Sequence, residues 1–474
     1  MRLRFAPSPT GNLHIGTLRT ALFNWVFAQK HQATLVLRIE DTDLERSHAE
    51  FEGSILEGLA WMGITLDEGP VQGGPYGPYR QSERIQLGIY QTYAQKLVDE
   101  KKAYPCFCTD SDLDSERQLA QTQKVPYVYS RKCMHLSEAE ILEKKAAQVP
   151  ATIRFKIPHA QTLTFRDLIR EEISFDMALI SDFVLVKSDG TPSYNFAVVV
   201  DDMLMEITHV IRGEDHISNT PRQIVLYQAL GATHPQFAHL PMILGPDKSK
   251  LSKRHGATSV IEYQSNGYLN TALRNYLMLL GWSSPDGKEL LDIHTICDNF
   301  SLDRLSKSGA VFDVTKLKWM NGQYIRALEN EALYAALFPY VSEELRSAKK
   351  LKDMMVSVKD NLDLLTDISL YLPVYFNSPE SFKEAVSAFA FSEADKDVLI
   401  AFKNALVSFQ GEELTAEAVD VILQTLLVTT GLGKGKVFKP IRLACSASAT
   451  GPHLPDFVSI MGKDRIVERV SWVL

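Results

Sequence analysis

The stretch RLRFAPSPTGNLHIGTLRTALFNWV, residues 2–26, decides the fold. Arg2 to Phe5 read as a strand, and Leu18, Ala21, Leu22, Trp25 and Val26 recur at helical spacing. Pro7, Pro9 and Gly11 hold a tight turn between them, so the order is strand, turn, helix start. The free backbone amides of a first helical turn, with the positive end of the helix dipole, favour an anionic phosphate. His14 and Gly16 fall where that phosphate would arrive. A small residue lets a nucleotide approach the backbone, and an imidazole can donate a proton-bearing nitrogen to a phosphate oxygen. The same residues also read as an ordinary helix cap preceded by prolines.

A second segment, GPDKSKLSKRHG at residues 245–256, is polar, bounded by glycines and rich in cations. Taken by itself it reads equally as a solvated basic loop. Lysines on such a loop can close over a triphosphate and neutralise charge as pyrophosphate departs, which stabilises a transition state without covalent chemistry. Together, PSPTGNLHIGT (7–17) and KLSKR (250–254) are similar to the HIGH and KMSKS signatures of class I aminoacyl-tRNA synthetases, and RFAPSPTGNLHIGT resembles the glutamyl branch. Thr17 stands where the second His of HIGH would be, and Arg254 replaces the final Ser of KMSKS; both variants are usual in that branch. The resemblance is specific through about Trp282 and more diffuse to the C-terminus.

The resemblance implies a glutamate-tRNA ligase reaction: ATP converts L-glutamate to glutamyl-adenylate, releasing diphosphate, and the 3′-terminal ribose of tRNA(Glu) then displaces AMP. tRNA(Gln) is a second candidate acceptor. No nucleophile from the protein is needed, because positioning and charge stabilisation do the work. His14 and Lys253 become the leading catalytic residues with Lys250 in support, and His14, Gly16, Thr17 and Lys253 the ATP-binding set. Magnesium is expected to accompany ATP. For the amino acid, Glu40 is matched to the ammonium, with Ser8 accepting another of its protons. Arg4 and Arg212 are matched to the two carboxylates, and Tyr194 shapes the pocket. Strand-end ion pairs are the simpler account of Arg4 and Glu40, packing that of Tyr194, and a loop carboxylate that of Asp215. Val198 stands where some relatives carry an Asn. Two alternatives remain at this point: a glutaminyl-tRNA synthetase on the same scaffold, and a catalytically silent RNA-binding relative. Glutamylation of a modified base fits less well, because such relatives match only the catalytic half.

Composition agrees with this without identifying it. A chain of 474 residues with 45% hydrophobic content supports several domains with substantial cores. No apolar run is long enough for a membrane span and no signal-peptide region is evident, so a cytoplasmic protein, expected as a monomer, follows. A net charge of -8 argues against diffuse polyanion binding, leaving any RNA contact to local basic surfaces. Five cysteines in so long a chain do not make a disulfide scaffold. Three of them do form a pattern, Cys106-Phe-Cys108 followed by Cys133-Met-His135. Paired C-x-C and C-x-H half-sites supply four ligands for a closed, tetrahedral, structural zinc site. Incidental buried cysteines are the alternative. Tyr129 reads as packing, and Cys297 and Cys445 as core residues.

Strand-like runs at Arg2 to Phe5, Thr34 to Ile39, Phe196 to Val200 and Thr208 to Arg212 alternate with helical stretches. The expected fold is therefore an α/β catalytic domain with a Rossmann-like, doubly wound parallel sheet, an α+β zinc-binding insertion and an all-α C-terminal region. Ligands bind such sheets beyond the strands' carboxyl ends. Ala6 to Ser8, Glu40 to Asp43, Asp201-Asp202 and Arg212 to Asp215 are read at those ends. With the resemblance, the expected divisions are 1–90 and 184–245 for the two halves of the catalytic domain and 91–183 for an insertion, holding the strand-like Thr152 to Ile157, that the resemblance implies binds the acceptor end of tRNA. The resemblance likewise implies that residues 246–325 hold the KLSKR loop and stem contacts, and 326–474 a helical anticodon-binding region. In the last, Thr415 and Gly431 bracket a helix. The basic run 433–442 reads either as a solvated turn or as an RNA contact using its cations and Phe438.

Overall fold

Strands β1 (Arg2–Phe5) and β2 (Thr34–Leu37) run parallel in register, Arg2 opposite Thr34 and Phe5 opposite Leu37. Helix α1 (Ile15–His31) makes the crossover between them. It buries Leu18, Ala21, Leu22 and Val26, along with most of its other positions, so it is covered nearly all round. This computed structural model describes residues 1–43, 45–158, 162–252, 254, 256 and 259–474. Among them no helix is long and apolar enough to cross a membrane.

After β2 come α2 (Ala49–Trp61), α3 (Gln81–Gln86) and α4 (Ile89–Asp99). β3 (Ala103–Cys106), α5 (Asp110–Thr122), α6 (Glu138–Ala146) and β4 (Thr152–Phe155) follow. The chain continues through β5 (Thr162–Asp167), β6 (Glu171–Asp176) and β7 (Val184–Val186). Next are α7 (Tyr194–Leu204), β8 (His209–Gly213), α8 (Thr220–Leu230) and β9 (Gln236–Leu240). The main sheet has six strands in the order β2-β1-β8-β9-β5-β6. All neighbours are parallel except the β5–β6 hairpin, so the sheet is mixed at one edge. From β1 the order proceeds one way to β2 and the other way to β8 and β9. The reversal opens a crevice beyond the ends of β1 and β8, the usual place for a ligand in such sheets.

Two features differ from the sequence expectation. Phe196 to Val200 is no strand: it lies inside α7, and every residue from Phe196 to Asp202 is buried. A helix covered on all sides has no apolar stripe, and its continuous apolar run is indistinguishable from a buried strand by periodicity. Asp201 and Asp202 accordingly sit on a helix and not at a strand end. The second feature is β5, which pairs with β9 and so joins the main sheet, although it lies within the segment read as the insertion. The segment's other strands, β3 and β4, pair with β7 just beyond it in a separate three-stranded antiparallel sheet, β3-β4-β7.

The chain divides into two units, one of residues 1–262 with 274–313, the other of 263–273 with 314–474. The second unit is helical, its core including Leu333, Met355, Phe402, Leu423, Val437, Ile441 and Phe457. Thr415 caps the helix Ala416–Thr430 by accepting from the Ala418 amide, and Gly431 ends it with φ 67°. That positive φ is where glycine carries no steric penalty. The basic run after it is a helix, Lys434–Ser446, with Pro440 inside. It forms because Val437, Ile441 and Ala444 bury into the core, and Phe438 packs partly against that same core.

Candidate active site

A cavity of about 450 Å³ opens beyond the carboxyl ends of β1 and β8. Arg4, Ser8, His14, Gly16, Thr17, Glu40, Tyr194, Arg212 and Lys250, residues scattered over the first 250 of the chain, all line it. Lys253 lies outside the described residues. Val198 is buried within α7 and does not line the cavity.

His14 is the N-cap of α1, and its Nδ1 accepts from the Gly16 amide at 3.0 Å. A Cβ at Gly16 would approach that nitrogen to 3.3 Å, so glycine keeps the cap close. Burial, reinforced by the charge of Lys250, lowers the His14 pKa. With Nδ1 accepting, the neutral ring carries its proton on Nε2, free to donate to an oxygen in the cavity. The first signature segment meets the chain just beyond the second: His14 bridges to Ser259, and the Val260 amide donates to Leu13 O at 3.1 Å. The stretch before Lys253 is pinned as well. Leu251 N donates to Ile243 O, Gly245 N to Ser249 O, and Lys250 Nζ lies 3.3 Å from Asp215.

Beneath the cavity lies a set of buried charges. Arg38, wholly buried, reaches Asp202 at 2.6 Å and Glu40 at 3.0 Å. Asp202 also receives Arg4 Nε at 3.3 Å. Asp201 accepts from Arg84 at 2.6 Å, from Gln81 at 2.8 Å and from Tyr90 at 3.0 Å. Burial raises the Glu40 pKa, opposed by Arg38 and Arg4. A further cation beside Glu40 would favour its ionised form. Tyr194, its Oη 3.1 Å from His216 Nδ1, has its phenol pushed up to about 12 by enclosure and by the Glu40 charge.

Arg212 differs from these neighbours. It is 5% exposed and donates through Nε to His239 at 3.1 Å and through Nη2 to Thr220 at 2.9 Å. Its Nη1 is buried without a hydrogen-bond partner, and it forms no carboxylate pair among the described residues. Burial, with the repulsion of Arg4, lowers its pKa. A buried guanidinium of this kind is costly until an anion reaches it.

Away from the cavity, the thiols of Cys106, Cys108 and Cys133 converge within 4.8 Å of one another. The Cys108 and Cys133 sulfurs are 3.5 Å apart, and the Tyr129 hydroxyl lies 3.4 Å from Cys106 and 3.2 Å from Cys108. Although burial opposes ionisation, hydrogen bonding from Tyr129 and the Cys108 backbone draws Cys106 down to about 7. Burial pushes Cys108 up to about 12. Three soft donors at this separation suit a thiophilic divalent ion. His135, expected as a ligand, is exposed and outside the group. Cys133 and His135 share a 3₁₀ turn, Lys132–His135, where two positions on is about 240° round the axis, so one faces in and the other out. Tyr129, expected as packing only, takes the inner place.

Arg19, Arg38, His216 and His239 carry no motif in the sequence. Arg19 lines the cavity and donates to the carbonyls of Leu280 and Pro241 from the first unit. Arg38 and His239 matter through partners far along the chain, Asp202 164 residues and Asp167 72 residues away.

The family described as tRNA synthetases class I (E and Q), catalytic domain, matches residues 1–319, and an anticodon binding domain matches 332–474. The chain is 43% identical to glutamate–tRNA ligase 1 of Caldicellulosiruptor saccharolyticus over all of its own length and 98% of the relative's. It is 44% identical to the glutamate–tRNA ligase of a Sulfurihydrogenibium species, covering 99% and 98%. A crystal structure of a glutamate tRNA ligase from Elizabethkingia meningosepticum, in complex with its amino acid, superposes with a TM-score of 0.89 at 35% identity over 99% of this chain and 98% of that one.

Proposed function

The chain belongs to the class I tRNA synthetases of the glutamate and glutamine branch, and from that premise we propose how its cavity carries out glutamate–tRNA ligation. The observation that carries the reading is the buried, unpartnered Nη1 of Arg212 on the cavity wall. During activation the α-carboxylate of the amino acid loses its own charge as it becomes the acyl half of a mixed anhydride, so a permanent counterion for a buried arginine has to be the side-chain carboxylate. Arg212 takes that carboxylate. The neutral amide of glutamine leaves the guanidinium without its charge partner, which disfavours the glutaminyl reading.

Glu40 receives the ammonium, assisted by Ser8, while Arg4 steadies the α-carboxylate and Tyr194 closes the pocket wall. His14 Nε2 donates to the α-phosphate at the start of α1, Gly16 and Thr17 admit the nucleotide, and Lys250 and Lys253 neutralise the departing diphosphate. Together these groups bring carboxylate and phosphorus into line and spread the developing charge. Among the described residues no carboxylate cluster stands ready to hold a cation in this cavity. Magnesium would accompany ATP and supply charge screening at its phosphates.

Cys106, Cys108 and Cys133 would hold a structural zinc, a role supported by the convergence of their sulfurs, with the Tyr129 hydroxyl adjacent. Residues 91–183 receive the acceptor end of tRNA between the two catalytic segments, 1–90 and 184–245. Residues 246–325 contact the stem. Residues 326–474 bind the anticodon limb, a placement supported by the match of 332–474 to an anticodon binding domain. The substrates place this work in the cytoplasm. The test is charging of purified glutamate and glutamine tRNAs with labelled glutamate and, in parallel, with labelled glutamine, in ATP and magnesium. Charging with glutamate supports the reading; charging with glutamine alone, or with neither acid, overturns it.

A further inference from the structure

Arg212 is held from behind by a chain of buried groups that the reaction itself does not require. His239, on β9, and Asp167, at the end of β5, both have fully buried side chains, with Nδ1 and Oδ2 2.6 Å apart. The other Asp167 oxygen accepts from the amides of Ile169 and Arg170, each at 2.9 Å. Both oxygens are therefore engaged as acceptors. At the far side of the imidazole, Arg212 Nε donates to His239 Nε2 at 3.1 Å. An arginine N–H always donates, so Nε2 must be bare and the ring proton must sit on Nδ1, facing Asp167. Phe237 supports the pair from one side, 5.3 Å from the Arg212 guanidinium and stacked 6.2 Å from the His239 ring.

We propose that Asp167 and His239 are positioning residues: Asp167 fixes His239 in the tautomer protonated on Nδ1, and His239 then orients Arg212 toward the side-chain carboxylate of the substrate. Neither residue touches substrate. The edge hairpin β5–β6 thereby takes part in amino-acid selection, through a strand that precedes Arg212 by 45 residues and more. This rests on the assignment of Arg212 to the substrate carboxylate made above.

Asp167→Asn is the diagnostic change. Its carbonyl oxygen keeps the two backbone amides, which turns the NH₂ group toward His239 Nδ1. That nitrogen must then accept, the ring proton moves to Nε2, and two donors face each other across the Arg212 contact. Hydrogen bonds to charged groups contribute enough for KM for glutamate to rise about tenfold to a hundredfold. KM for ATP should stay within about twofold, a split that a general loss of structure would not give. His239→Gln supplies an amide oxygen for Arg212 and an NH₂ for Asp167, and should keep KM for glutamate near the wild-type value, whereas His239→Leu should raise it as Asp167→Asn does. Arg212→Gln is the control. If it leaves KM for glutamate unchanged, the assignment of Arg212 itself falls. If it raises KM while folded Asp167→Asn does not, the positioning proposal is overturned and the assignment stands. Should Asp167→Asn not fold, the two His239 variants decide: a Leu effect restored by Gln supports the proposal, and equal behaviour of the two refutes it.

Discussion

Replacing Arg212 by Gln should separate stability from substrate binding in one residue. The guanidinium is 5% exposed, one of its nitrogens has no partner, and both burial and Arg4 work against its charge. A buried group left unsatisfied costs about 1–3 kcal/mol. A neutral amide of similar reach can still donate to His239 without carrying that charge. The ligand-free variant should therefore be as stable as the wild type or more so, by about 1–3 kcal/mol. Glutamate binding should suffer the opposite change. Truncating one member of a buried charge pair costs about 2–5 kcal/mol, a rise in KM on the order of thirtyfold to a few thousandfold. Denaturant unfolding with and without glutamate reads both effects. At a concentration about 100 times the wild-type Kd, glutamate should stabilise the wild type by about 2.7 kcal/mol and the variant by about 0.9 kcal/mol at most. Charging kinetics give KM independently. A ligand-free variant that loses several kcal/mol, yet keeps the glutamate-dependent gain, would show Arg212 to be a structural cation and refute the reasoning.

The neighbouring Arg38 should behave in reverse. Arg38→Met leaves Asp202 and Glu40 buried without their shared cation, so denaturant unfolding should show a loss of about 3–5 kcal/mol, and a loss below about 1 kcal/mol would contradict the network. His239 is lowered by burial against the pull of Asp167, so the unfolded chain binds its proton first as pH falls. Stability should drop on acidification from about pH 6.5 toward the folded pKa, by up to about 1.36 kcal/mol per unit, and His239→Gln should remove that part of the slope; parallel pH curves for the two proteins would exclude it. Purified protein should contain stoichiometric zinc by atomic spectroscopy, and chelation should make the Cys106, Cys108 and Cys133 thiols reactive. Metal-free, folded protein with those thiols already titratable would sink the zinc assignment.

Strand and turn chemistry made β1, β2 and β8 legible from the sequence, and the capped helix 416–430 was readable from Thr415 and Gly431. Those signals are local. The helix α7 was not legible as a helix, because burial on every side erases the period that distinguishes it. The helix 434–446 was hidden by Gly435 and Pro440, whose unfavourable propensity is overridden by core packing. The motif-borne residues of the cavity were identifiable because the family resemblance names them position by position. Arg38, Asp167 and His239 were not, because a buried ion pair or tautomer has no local pattern: His239 and Asp167 are 72 residues apart.

The antiparallel hairpin at the sheet edge has a consequence for anyone who wishes to pare the chain down. The segment 91–183 looks like an excisable module between two halves of a nucleotide-binding fold. Its strands β5 and β6 nevertheless cover one side of β9. Cutting the segment out would strip β9 of the neighbour it meets at Phe237 and open that edge to solvent, a template for pairing with another copy. A minimal version of this fold would need to retain residues 162–176 as a bridge, or replace them with a designed edge strand bearing inward charges. The boundary read along the sequence and the boundary in hydrogen bonding are therefore two different lines.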